Sequence, residues 1–214
     1  MAGAEIRVML VDDHAIVRSG FRRLLEQTPG IVVAAEAASG EDAYQAFPGC
    51  LPDVTVMDLS MPGAGGLETI RRILARHPDA RILVYSMHES AAFATQAMRA
   101  GACGYVTKAS APDVLVEAVK AATGGRAYLS PDMAQKIALD SVSGDRDPVQ
   151  LLSTREFEVF RLLAEGRSTD DIAEALFLSH KTVANYATQV KQKLGVSTPV
   201  ELFRLALKHR IVSE

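Results

Sequence analysis

Three carboxylates, a hydroxyl and an ammonium group stand at the ends of four apolar runs in the N-terminal half of this 214-residue chain. Asp58 ends Val54-Thr55-Val56-Met57 and precedes Leu59-Ser60-Met61-Pro62. Asp12 and Asp13 end Ile6-Arg7-Val8-Met9-Leu10-Val11, Ser86 ends the run Ile82 to Tyr85, and Lys108 follows Gly104 to Thr107. A lone Asp at such a place is usually a cap or turn residue, and a lone Lys is usually solvated. Five such groups at four run ends point instead to one pocket. Carboxylates brought together repel unless a cation or protons intervene. A water-accessible site of oxygens suits Mg²⁺, which takes one or two carboxylates, waters and phosphate oxygens. A carboxylate is also a nucleophile toward phosphorus and gives an acyl phosphate. Mg²⁺ and Lys108 would neutralise the phosphoryl charge, and Ser86 would hydrogen-bond one of its oxygens.

To converge, the runs must be parallel strands of one sheet whose C-terminal edge forms the site, as in open α/β sheets. The pattern agrees. Strand-like runs lie at 6–11, 31–35, 54–58, 82–86 and 104–107, and amphipathic helical patterns at about 15–27, 39–47, 66–76, 90–100 and 111–123. The last helix opens on Ser110-Ala111-Pro112-Asp113, with Ser110 as its cap and Pro112 in its first turn. Five βα units predict an α/β fold, a doubly wound parallel sheet, for which the flavodoxin-like order is one of few topologies. Gly63-Ala64-Gly65-Gly66 lacks the G-x-G-x-x-G pattern and a P-loop Lys, so it reads as a turn.

The composition, 48% hydrophobic and 23% charged, is that of a globular protein. No apolar run reaches the roughly 18 residues of a membrane helix, and Met1 to Glu5 carries no signal-peptide pattern. Cys50 and Cys103 read as reduced thiols of a cytoplasmic protein. Residues 150–214 hold 9 Lys/Arg against 8 Asp/Glu, and residues 1–149 the other 14 against 18. Neither half is extreme, so net charge alone does not announce nucleic acid.

Beyond residue 124 the pattern changes. Gly124 to Ser130 breaks the last helix, Pro131 to Ser141 allows one short helix, and Ser141 to Pro148 is polar and turn-rich. We read 1–124 as one domain, 125–149 as a flexible linker with that short helix, and 150–214 as a smaller all-α domain. In the latter, Ser153-Thr154-Arg155-Glu156 is a capping box. Ser168 caps a second helix, Phe177-Leu178-Ser179 turns the chain, and a third helix runs from His180 to Leu194 before Gly195. Thr198-Pro199-Val200-Glu201 opens a fourth. Two helices across a tight turn form a helix-turn-helix. On the third helix Val183, Tyr186, Ala187, Val190 and Leu194 share an inward face. The outward face offers Lys181, Ala184, Asn185, Thr188, Lys191 and Gln192, flanked by Gln189 and Lys193. It holds three Lys, no acid and short polar side chains, which suits phosphates and base edges in a major groove. Asn185, with its bidentate amide, is the best reader of adenine.

Asp12-Asp13, Asp58, Ser86 and Lys108 at these spacings resemble the receiver domain of two-component response regulators over about residues 5–124. The resemblance implies that Asp58 is the phosphoacceptor and that a sensor histidine kinase is its donor. It implies that Asp13 and Asp58 bind Mg²⁺ with the Ser60 backbone carbonyl and support from Asp12. Lys108 would pair with the phosphoryl group, and Ser86 and Tyr105 would be switch residues. Leu152-Ser153-Thr154-Arg155-Glu156, Asp171-Ile172-Ala173, Leu178-Ser179-x-x-Thr182-Val183 and Lys193-Leu194-Gly195-Val196 resemble the LuxR-type DNA-binding domain. Together the halves are similar to the NarL/FixJ family, which implies promoter DNA as partner. Lys181, Thr182, Ala184, Asn185, Thr188, Gln189, Lys191 and Lys193 would then face DNA. Ala109 stands where many receivers have Pro, and Ala184 and Tyr186 where relatives commonly have Lys or Arg and His.

The expected mechanism is a two-state switch. Phosphorylation would reposition Ser86 and Tyr105 and reshape the face of helices 90–100 and 111–123, releasing the DNA-binding domain, promoting a homodimer, or both. Val200, Phe203, Leu207 and Ile211 suit a dimer face and equally suit core packing. Two rival readings stand beside this one. The first is a receiver that needs no phosphate and serves as a dimerisation module. The second is an aspartyl-phosphate phosphatase, whose haloacid dehalogenase-like type wants a second Asp where Ser60 stands.

Overall fold

The computed structural model describes residues 5–142 and 148–212. Six parallel strands build one sheet: β1 (Ile6–Val11), β2 (Ile31–Ala37), β3 (Val54–Met57), β4 (Ile82–Ser86), β5 (Gly104–Thr107) and β6 (Tyr128–Leu129). Their order is β2-β1-β3-β4-β5-β6. The first five follow the flavodoxin-like order, which reverses between β1 and β3 and opens a crevice there. The connecting helices are α1 (Ala15–Glu26), α2 (Gly40–Cys50), α3 (Gly65–Arg76), α4 (Ala91–Arg99) and α5 (Pro112–Thr123). β3, β4 and β5 are buried at every residue, as a sheet covered on both faces requires. Alternate residues feed the two layers: Val8 and Leu10 join Val56, Leu83 and Val106 on one face, and Met9 and Val11 join Met57, Val84 and Tyr105 on the other.

Two details differ from the sequence reading. Tyr128 and Leu129, expected within a break, pair with Gly104 and Tyr105 as the sixth strand. Two residues are too few to show a period of two. Their seat depends on Gly104, where an added Cβ would lie 2.5 Å from the Tyr128 carbonyl oxygen. Ser110 does not cap α5: the N-cap residue is Ala111, with no side-chain bond. The Ser110 hydroxyl lies 2.9 Å from Thr107 Oγ1 and 3.5 Å from Asp132 instead.

After β6 comes α6 (Pro131–Val142), and then a 3-10 turn at Pro148–Leu151. Of the stretch expected to be a flexible linker, residues 143–147 lie outside the described residues. The C-terminal domain holds α7 (Thr154–Ala164), α8 (Thr169–Ala175), α9 (His180–Leu194) and α10 (Pro199–Lys208). Capping boxes are present at Ser153/Glu156, Ser168/Asp171 and Thr198/Glu201, each hydroxyl accepting from the N3 amide.

The two domains are docked through α4 and α3. Phe93 meets Phe157 edge to face at 5.2 Å, both rings within the core that also takes in Ala97, Leu152 and Leu202. Gln96 Nε2 donates to the Leu152 carbonyl at 3.0 Å, and Arg99 Nη1 to that of Gln150 at 2.7 Å. From α3, buried Glu68 accepts from Arg155 Nη2 at 2.8 Å.

The turn after β3 packs against the first residues of α3. A Cβ at Gly66 would lie 2.2 Å from the Asp58 carbonyl oxygen and 2.7 Å from Leu59 Cα. Both obstacles are backbone, so Gly66→Ala must displace the Asp58 turn. Denaturant titration should show a stability loss of about 1–3 kcal/mol or more. An unchanged midpoint would mean that this packing is looser than the distances say.

Candidate functional site

Four strand ends meet at the C-terminal edge of the sheet. The Asp58 N–H donates to the Val11 carbonyl at 2.9 Å, which ties β3 to β1 where both acids emerge. Lys108 Nζ, from the end of β5, donates to Asp12 Oδ2 at 2.6 Å and to Asp58 Oδ2 at 2.8 Å. The other Asp58 oxygen accepts from the amides of Leu59 at 2.7 Å and Ser60 at 3.3 Å. Asp12, Asp58 and Lys108 are all nearly buried. Burial opposes the Lys108 charge, but the hydrogen bonds and charges of the two carboxylates outweigh it and hold its pKa above the ordinary value.

Asp13 lies beside this pair. Asp12, Asp13, His14 and Asp58 each offer one ligand atom within 4.8 Å of the others. Asp13 Oδ1 is buried; His14 Nδ1 lies 2.9 Å away but without hydrogen-bond geometry, so the oxygen keeps its acceptor capacity. Three carboxylates against one ammonium leave an excess of negative charge on hard oxygen donors. That donor set fits Mg²⁺.

The two remaining pocket residues lead to the loop after β4. Ser86 and Tyr105 are fully buried. Ser86 Oγ accepts from the His88 N–H at 3.3 Å, and the Tyr105 hydroxyl donates to the His88 carbonyl at 2.8 Å. Burial raises the Tyr105 pKa, so the phenol remains a donor. The Ser60 hydroxyl lies 3.1 Å from His88 Nε2. Burial, with Arg161 and Lys108 nearby, pushes His88 down to about 4, which leaves the ring neutral near pH 7.

In the C-terminal domain, α8, the turn through Phe177 and α9 form the helix-turn-helix. Val183, Val190 and Leu194 are buried, while Tyr186 and Ala187 are half-buried, as the wheel requires. Lys181, Ala184, Asn185, Thr188, Gln189 and Gln192 are exposed, and Lys191 is half-buried. The docked receiver leaves this face open. Two candidate residues have other partners: the Thr182 hydroxyl lies 2.7 Å from the capping Ser179 hydroxyl, and Lys193 Nζ donates to Glu156 at 2.7 Å. On α10, Val200 and Phe203 are exposed and Leu207 is half-buried, whereas Ile211 lies in the core.

Sequence reasoning missed His14, His88, Glu68 and the Phe93–Phe157 contact. An acid between Leu67 and Ile70, inside an otherwise apolar stripe, is a signal that could have exposed Glu68. No spacing in the chain marks His88.

Residues 8–120 match the family model described as the response regulator receiver domain, and residues 150–206 that of bacterial regulatory proteins of the luxR family. The response regulator UvrY of Escherichia coli (strain K12) is 39% identical over 206 residues, 95% of this chain and 94% of that protein. The response regulator GacA of Pseudomonas aeruginosa is 38% identical over 209 residues, 97% of this chain and 98% of that one. Among solved structures, RcsB from Salmonella enterica serovar Typhimurium, bound to promoter rprA in the presence of the phosphomimetic BeF3-, superposes with a TM-score of 0.78 at 30% identity. That match covers 94% of this chain and 98% of RcsB. A receiver and a LuxR-type helix-turn-helix on one chain, with relatives along almost its whole length, make this protein a two-component response regulator of the NarL/FixJ family.

Proposed function

We propose that Asp58 accepts a phosphoryl group from a sensor histidine kinase and that this event controls binding of the C-terminal domain to promoter DNA. The observation that carries the reading is Lys108, which spans Asp12 and Asp58 at 2.6 and 2.8 Å and is placed to hold phosphoryl oxygens. Mg²⁺ would be held by Asp13, Asp58 and the Ser60 carbonyl with support from Asp12, and when bound it supplies charge neutralisation for the phosphoryl group. Asp58 is the nucleophile. Its two amide donors and Lys108 fix the carboxylate, and the Ser86 hydroxyl lies buried at the end of the neighbouring strand β4. The protein acts in the cytoplasm as a regulator and not as a turnover enzyme. We place the receiver at 1–124 together with the sixth strand, Tyr128–Leu129, the linker in the rest of 125–149, and the DNA-binding domain at 150–214.

For DNA we assign phosphate contacts to Lys181 and Lys191 and base reading to Asn185, with Ala184, Thr188 and Gln189 lining the same face. Thr182 sits at the helix cap, and Lys193 joins the phosphate contacts once it leaves Glu156. Phosphorylated copies would pair through Val200, Phe203 and Leu207 to match two half-sites. Lys181→Ala should weaken binding to every sequence alike and lower the salt slope of log K by about one. Asn185→Ala should cost about 1–3 kcal/mol and relax base preference. Equal losses on specific and random duplexes for Asn185→Ala would remove it as a reader.

The decisive experiment is sizing and promoter-DNA titration of the protein with and without beryllofluoride and Mg²⁺. Dimerisation or tighter DNA binding only with both present supports the proposal. Identical behaviour in every condition would show that the pocket does not control the output.

A further inference from the structure

The pocket and the DNA-binding domain are joined at one side chain. His88 gives all three of its described polar contacts to residues of the phosphorylation site. Its N–H goes to Ser86 Oγ at 3.3 Å, its carbonyl accepts from Tyr105 at 2.8 Å, and its Nε2 lies 3.1 Å from Ser60 Oγ. Ser60 in turn donates its amide to Asp58, two residues before it, at 3.3 Å. The flat of the His88 ring lies on Phe93, with centroids 3.7 Å apart and planes 11° from parallel. Phe93 is buried and meets Phe157 of the other domain at 5.2 Å. Four contacts therefore lead from Asp58, through Ser60, the His88 imidazole and Phe93, to Phe157 in the interdomain core.

We infer that His88 is the positioning residue that converts occupancy of the Asp58 pocket into release of the DNA-binding domain, because its ring nitrogen is tied to Ser60 while its ring face holds Phe93 against Phe157. This rests on Asp58 being the phosphoacceptor. A group added to Asp58 competes for the donors around it, Ser86 and the 59–60 turn among them. Two of the His88 tethers end on Ser86 and Ser60. Their movement drags the imidazole, and a stacked ring that slides loses its overlap with Phe93. Packed interfaces respond to such shifts by switching between discrete arrangements rather than by deforming gradually.

The ring and its nitrogen are separable. His88→Phe keeps an aromatic face for Phe93 and removes the tether to Ser60. His88→Ala removes both. The full-length chain is followed by ¹⁹F NMR for bound beryllofluoride and by small-angle scattering for domain separation. Wild type should fill its pocket and expand. His88→Phe should fill the pocket with an affinity within about threefold of wild type and stay compact, a split that a merely structural residue would not give. His88→Ala should be expanded before any beryllofluoride is added. Expansion of His88→Phe to the wild-type extent with its pocket filled would overturn the inference, as would a compact His88→Ala. Wild type that fills its pocket without expanding overturns the inference alone. Wild type that binds no beryllofluoride defeats the phosphoacceptor reading, and the inference falls with it.

Discussion

Asp58→Asn should accept no phosphoryl group from acetyl phosphate, whereas wild type labelled under the same conditions should carry an acid-stable, hydroxylamine-sensitive acyl phosphate. The expected loss is complete because a carboxamide has no anionic oxygen to attack phosphorus. The fold should survive. The carboxamide oxygen of Asn can still accept from Lys108 or the Leu59 amide, the partners of Asp58 at 2.8 and 2.7 Å. Removing one of three neighbouring carboxylates also relieves repulsion. Loss of label with an intact thermal transition is therefore a chemical effect. Label retained at wild-type level would place the acceptor on another side chain and dismantle the site as drawn.

Glu68→Ala should separate the domains without any signal. Glu68 is buried, and it holds Arg155 of α7 through two oxygens while also pairing with Arg71 at 2.9 Å. Removing one member of a buried ion pair typically costs about 3–5 kcal/mol, because the other charge is left without compensation. Here the chain has an escape. If the domains part, Arg155 returns to water, so the cost cannot exceed the free energy of docking itself. The expected result is an increased radius of gyration at rest, with both domains still folded. Replacing Glu68 and Arg155 together by Leu should restore much of the compactness, since apolar pairs often substitute for buried ion pairs without loss. A compact Glu68→Ala would mean that Phe93, Phe157 and the carbonyl contacts of Gln96 and Arg99 hold the interface alone.

These two residues mark the boundary of what the chain reveals unfolded. Asp58 was legible because a strand end, an acid and a turn are adjacent in sequence, and the same grammar recurs at Asp12 and Ser86. The helix-turn-helix was legible for the same reason, through caps and a period of 3.6. Glu68 and Arg155 are 87 residues apart and meet only after two domains dock. Local periodicity cannot encode such a pairing. His88 was hidden for a related reason: its partners lie in the turn after β3 and on β4, β5 and α4, and only the assembled sheet edge brings them to one residue. Ser110 shows a subtler limit. A hydroxyl before a proline-opened helix looks like a cap, but Thr107 and Asp132 competed for it and won.

The exposed face of α9 sets how fast a signal can be answered. Docking fastens α7 and leaves Lys181, Asn185, Thr188 and Gln189 in solvent. A cationic face that stays open associates weakly with any duplex, largely by counterion release, and lets a protein slide and hop. Under the proposed function, resting molecules would already sit on DNA before a phosphoryl group reaches Asp58. If phosphorylated copies pair as proposed, two neighbours on one duplex would meet along a line rather than through the volume of the cell.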